Sequence, residues 1–132
     1  MSKAVVFTSK FGTTRRAAEY IAKALEADLF DIKQKTPALD GYDTVVFGSG
    51  IYMGKMPRSM RTFITDNVNI LSGKRTALFV CCTYEGAEAE KQLSNAAKLI
   101  GNVSAAGYLS NKRRGGADVD RDAADSFIDG VR

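Results

Sequence analysis

Ala4-Val5-Val6-Phe7-Thr8-Ser9-Lys10-Phe11-Gly12-Thr13-Thr14 sets an unbroken apolar run against four hydroxyls and one glycine. The run has the length and composition of a buried strand. Beyond Thr14, the residues Ala17, Ala18, Ile21, Ala22 and Leu25 are spaced to share one helix face, while Arg15, Arg16, Glu19, Lys23 and Glu26 lie largely elsewhere. The segment therefore reads as a strand, a loop and a helix.

The same alternation continues along the chain. Asp28-Leu29-Phe30-Asp31-Ile32 alternates polar and apolar residues, as a strand at an edge does, whereas Thr44-Val45-Val46-Phe47 is continuously apolar like an interior strand. Lys33 to Asp43, which joins them, is too short for a full helix and turns near Leu39-Asp40-Gly41-Tyr42-Asp43. Pro57 opens a second helix carried by Met60, Phe63 and Ile64, fading near Asn67. The run from Thr76 to Cys82 is the best central strand. A third helix follows Gly86, with Ala89, Leu93, Ala96, Ala97 and Ile100 inward and Gly101 as a left-handed cap. A weaker strand from Val103 to Leu109 and a last helix from Asp118 to Val131 complete the set. Strands alternating with helices predict an α/β fold with a parallel sheet, occupying residues 1–132 as a single domain.

Composition narrows the chemistry. The chain has 132 residues and no histidine, which removes mechanisms that use imidazole as base, shuttle or ligand. Its two cysteines, Cys81 and Cys82, are adjacent, so they form neither a CxxC pair nor a zinc set and read as buried thiols in a reducing compartment. The beginning of the sequence lacks the apolar length of a signal peptide, and no stretch is long enough to span a membrane, so a cytoplasmic protein is expected. The net charge of +4 leans basic without approaching histone-like density, and no nucleic-acid partner is read from it.

The loop Thr8 to Thr14 joins a buried strand to a helix start, where free backbone amides and the positive end of the helix dipole favour an anion and hydroxyls can donate to phosphate. The alternative is ordinary N-capping by Thr13 or Thr14, which needs no ligand. Other phosphate loops fit worse. A Walker-type loop fails because Gly48 and Gly54 are six apart and Lys55 is followed by Met56. A dinucleotide fingerprint fails because Gly48-Ser49-Gly50 follows the third strand and its third glycine position is Met53. A phosphatase loop fails because Ala87 and Glu88 stand six beyond the two cysteines.

Phe7 to Thr14, together with Gly48-Ser49-Gly50-Ile51-Tyr52-Met53-Gly54-Lys55-Met56, resembles the FMN-binding flavodoxin family over nearly the whole chain. Within it the sequence is similar to short flavodoxin-domain proteins related to the menaquinone-linked protoporphyrinogen dehydrogenases. The resemblance implies a flavodoxin-like, doubly wound five-stranded parallel sheet of order 2-1-3-4-5 with helices on both faces. It implies that Ser9, Thr13 and Thr14, with the amides of Lys10, Phe11, Gly12, Thr13 and Thr14, hold the FMN phosphate. The flavin ring would lie between the loop Ser49 to Met56, including Gly50, Ile51 and Gly54, and the loop Thr83-Tyr84-Glu85-Gly86. Tyr52 and Tyr84 are candidates to lie against the ring, and Met53 offers a polarizable thioether; covering a loop or filling the core are their alternatives. Gly50 and Gly54 would admit close backbone approach and a redox-linked change of hydrogen bonding beside the flavin, or simply serve turn geometry. Lys10 and Phe11 stand where many flavodoxins have threonines, so phosphate binding would lean on backbone donors.

Flavodoxins that carry electrons are commonly acidic, whereas this chain is basic. Lys55, Arg58 and the cluster Lys112-Arg113-Arg114 map to the expected flavin end, pointing to an acidic redox protein, an anionic membrane surface or a carboxylate-bearing substrate; a solvated basic surface is the alternative. One cation about 8 Å from the ring stabilises an added electron by roughly 2 kcal/mol at an effective dielectric near 20, before salt screening. That is on the order of 90 mV for one electron, toward a less negative couple. An electron-transfer flavoprotein is the first functional expectation. A protoporphyrinogen dehydrogenase reducing a quinone is the second, weighed against by the missing insertion after the fourth strand. A flavin-free binding module on the same fold is the third; a phosphate-accepting receiver is excluded by Thr8-Ser9 and Gly48-Ser49 where it would need acids.

Overall fold

The computed structural model describes residues 2–10, 12–52, 54–82, 86–101, 103–110 and 119–132, with the side chains of Cys82 and Ser110 outside that description. In chain order the elements are β1 (Lys3–Phe7), α1 (Thr13–Leu25), β2 (Asp28–Asp31), β3 (Thr44–Gly50), α2 (Arg58–Asp66), α3 (Val68–Leu71), β4 (Arg75–Cys82), α4 (Gly86–Ile100), β5 (Ala105–Ser110) and α5 (Arg121–Val131). The strands form one five-stranded sheet in the order β2-β1-β3-β4-β5, with every pairing parallel. This is the flavodoxin-like architecture expected from the sequence.

Successive strand residues point to opposite sheet faces, and the two cores divide accordingly. Val5, Phe7, Val46, Ala77, Phe79 and Cys81 pack under α1 and α5, meeting Ala17, Ile21, Leu25, Phe127 and Ile128. Ala4, Val6, Val45, Phe47, Leu78 and Val80 pack under α2 and α4, meeting Met60, Phe63, Ile64, Ala96 and Ile100. Neither face is left bare, which is why the central strands are apolar at nearly every position.

Several boundaries differ from the sequence expectation. β3 continues through Gly48, Ser49 and Gly50, which pair with Phe79, Val80 and Cys81, so these three lie within the strand and not in the loop after it. The short helix α3, absent from the sequence reading, follows α2 at Asn67; Val68 and Ile70 are exposed, so it shows no apolar stripe. β5 starts at Ala105, two residues later than expected. α5 starts at Arg121, where the Asp120 carboxylate caps the helix by accepting from the Ala123 amide. Gly101 has the left-handed conformation expected of it, with φ of 106°.

Candidate functional site

The chain runs from β1 outward to β2 and then back across β1 to β3, so the strand order reverses direction at β1 and a crevice opens at the carboxyl ends of β1 and β3. Phe7 and Thr8 remain tied to both neighbours, through Ile32 N–H to Phe7 O (3.1 Å) and Thr8 N–H to Gly48 O (3.2 Å). The Ser9 hydroxyl oxygen then accepts from the Gly12 amide at 3.0 Å, and Lys33 Nζ donates to the Ser9 carbonyl at 2.6 Å. Gly12 takes φ of 91°, a conformation that glycine adopts without strain, and its carbonyl receives the first helical bond from Arg16.

Gly12 is the N-cap of α1, and no side chain caps that helix. Capping by Thr13 or Thr14 is therefore not what these residues do. Both stand inside the first turn, Thr13 half-buried and Thr14 buried. The first turn's amides have no intrahelical acceptor. Beside them, Thr8 is only 1% exposed and its hydroxyl has no partner among the described residues.

Two basic residues of this turn have different duties. Arg15 pairs with Asp31 at 2.6 Å and lies over the Phe7 ring, 5.2 Å from its centroid. Arg16 folds over Gly12: a Cβ placed on that glycine would sit 3.2 Å from its Nη1. Sequence periodicity assigned Arg16 to the polar side and missed this approach. The only local signal was its position four residues after Gly12.

On the β3 side, the glycines make room for rings. A Cβ on Gly48 would fall 2.2 Å from Phe79 Cζ, and one on Gly50 would fall 2.6 Å from Tyr52 Oη. Ser49 is fully buried with its hydroxyl donating to the Gly50 carbonyl at 2.8 Å, so it is turned into the fold. Ile51, half-buried, donates its amide to Cys81 O at 3.1 Å and packs on the α2/α4 core. Tyr52 and Lys55 then close a turn with reciprocal bonds of 2.8 and 3.1 Å, and Gly54 supplies its positive φ of 81°.

Tyr52 joins the two loops. Its hydroxyl accepts from the Lys10 amide, and Lys10 Nζ lies 5.7 Å from the ring centroid. Burial pushes the phenol above its ordinary pKa, the Lys10 hydrogen bond pulls the other way, and the Cys81 thiol adds a smaller upward push. Thus Ser9, Lys10, Gly12, Thr13 and Thr14 are brought to the same crevice as Gly50, Tyr52 and Gly54. Gly86 is the exposed first residue of α4, with φ of 64°. Lys55 and Arg58 are exposed beyond the Tyr52 turn. Phe11, Met53, Thr83, Tyr84, Glu85, Lys112, Arg113 and Arg114 lie outside the described residues.

This crevice fits a mononucleotide phosphate: an uncapped helix start and an orphaned buried hydroxyl lie beside a serine already set into the turn. A model of the Flavodoxin domain family matches residues 4–111. The chain belongs to that family. A stretch of 52 residues, 39% of this flavodoxin domain, is 40% identical to an uncharacterized protein of Methanocaldococcus jannaschii, and it spans 35% of that relative's length.

Solved structures agree on the fold. A WrbA-like flavodoxin from Agrobacterium tumefaciens superposes with a TM-score of 0.73 at 21% identity, covering 99% of this chain and 97% of the other. Oxidised Flavodoxin 2 from Bacillus cereus gives 0.69 at 20% identity, over 99% and 97%. The Trp repressor binding protein from Bacillus subtilis gives 0.75 at 13% identity, over 99% and 98%. The flavodoxin domain thus shares their overall architecture. Among its described residues, no helix is long and apolar enough to cross a membrane.

Proposed function

We propose that this domain binds FMN and works as an electron-transfer flavoprotein. The observation that carries the reading is the start of α1, where no side chain caps the helix and the Thr8 hydroxyl lies buried without a partner among the described residues. A phosphate seated there would satisfy the amides of the first turn and complement the helix dipole. Ser9 holds the loop in shape through its bond to Gly12, leaving the other amides to the ligand.

FMN, when bound, supplies the electron chemistry; the chain supplies the grip, the enclosure and the charge around it. Tyr52 excludes water from one side of the crevice and presents a ring face for stacking. Gly54 leaves the backbone bare at the turn, with open space at its Cβ position, while Gly50 makes room for the Tyr52 hydroxyl. Lys55 and Arg58 favour an electron-rich ring and an anionic partner: an acidic redox protein, an anionic membrane surface or a carboxylate-bearing substrate. The buried Cys81 thiol supports work in a reducing compartment, the cytoplasm. The visible spectrum of the freshly purified protein tests the reading: oxidised-flavin bands, released as FMN on denaturation, are expected, and a colourless protein that refuses added FMN would overturn it.

A further inference from the structure

α2 begins against the usual electrostatic preference. A helix N-terminus favours acidic residues, yet the first turn of α2 has none and carries Arg58 and Arg61, with Lys55 just upstream. Among the described residues no carboxylate lies within ion-pair distance of these three cations. Arg61 is nevertheless held in place, its Nε donating to Met56 O at 3.0 Å.

These cations line a groove between α2 and α4. Two adjoining cavities of about 330 and 310 Å³ share Arg61 and Leu99; Lys55 and Asn95 line the first, and Arg58 and Thr62 line the second. Lys55 closes the same turn as Tyr52, so the groove starts at the rim of the crevice described above.

We propose that this groove docks an acidic segment of a partner protein that exchanges electrons with the domain. The redox role rests on the FMN reading; the surface rests on the groove itself. Carboxylates entering the groove would relieve the mutual repulsion of Lys55, Arg58 and Arg61 and complement the dipole of α2. The shape favours a protein segment over a bilayer. The surface is concave, and Leu99 is its one large exposed apolar side chain among the described residues. A membrane-docking face instead presents several apolar side chains for insertion beside its cations.

The test is amide NMR of the intact domain, with and without FMN, titrated with a short poly-glutamate peptide. Shifts are expected at Lys55, Arg58, Arg61, Thr62 and Leu99. Lys55→Gln/Arg58→Gln changes two exposed side chains and should weaken peptide binding about tenfold, while Arg58→Lys retains it and Lys74→Gln, at the opposite end of the sheet, leaves it unchanged. Shifts centred elsewhere, or unchanged binding by the double variant, would overturn the proposal. So would binding to phosphatidylserine-containing vesicles that the same double substitution abolishes. Peptide in the groove of a protein that takes up no FMN would keep the docking surface and remove the flavin reading.

Discussion

The loops after β1 and β3 meet where the Lys10 amide reaches the Tyr52 hydroxyl, but they are built differently. The β1 loop is organised by main chain and short hydroxyls: Ser9 accepts from Gly12, Lys33 steadies Ser9, and Gly12 starts the helix uncapped. The β3 side is organised by missing side chains, with Gly48 receiving the Phe79 ring and Gly50 receiving Tyr52. The first suits a small anion that reads backbone geometry. The second suits a flat group that packs against an aromatic wall.

The largest effect is expected where the β3 side merges with the core. In Gly48→Ala the new methyl would meet Phe79, which is fully buried and packed edge-on against Phe127 at 5.6 Å. Overpacking of this kind costs about 3 kcal/mol, measurable as a lower urea midpoint. Gly12→Ala tests the other loop. Its φ of 91° disfavours an L side chain by about 1–2 kcal/mol, and Arg16 must also move. FMN affinity should fall about tenfold with the sheet intact, read by flavin fluorescence titration.

How far these features were legible in the sequence depends on whether their cause is local. β1, β4 and α1 announce themselves because burial on one or both faces writes a continuous or periodic apolar pattern. The end of β3 does not, since Gly48-Ser49-Gly50 has poor strand propensity and is held extended by β4 alongside it. Gln92 is buried on α4 although polar, with its amide donating to Glu88 at 3.4 Å, while the expected Leu93 is only half-buried. Ser9, Gly12 and the threonines were legible as a loop chemistry. The Thr8 hydroxyl, the fold of Arg16 over Gly12 and the reach of Tyr52 to Lys10 depend on tertiary placement, which no local spacing encodes.

Smaller effects sharpen the contrast further. Tyr52→Ala should weaken FMN about five- to tenfold through lost ring contact, whereas Tyr52→Phe should change affinity by less than about threefold, because the Lys10 amide gains the ligand in place of the phenol. Competitive titration of the two variants separates ring from hydroxyl.

The smallest effect appears at high pH. Tyr20 and Tyr42 have pKa values raised chiefly by their hydrogen bonds to Asp125 and Asp28, and Tyr52 chiefly by burial. The folded state therefore holds these phenol protons more tightly than the unfolded chain does. Their contribution to stability is complete below pH about 10 and is lost as pH rises through the folded values. Urea unfolding followed across that range should show the decline, and Tyr42→Phe should make it shallower; a flat profile would count against these assignments.

Isothermal titration of the flavin-free protein with FMN and, separately, with riboflavin probes the helix-start grip most directly, because the two ligands differ only by the phosphate. Binding of FMN at least about a hundredfold tighter than riboflavin is predicted, the equivalent of one or two charge-assisted hydrogen bonds. Equal affinities would contradict a phosphate seat at the first turn of α1.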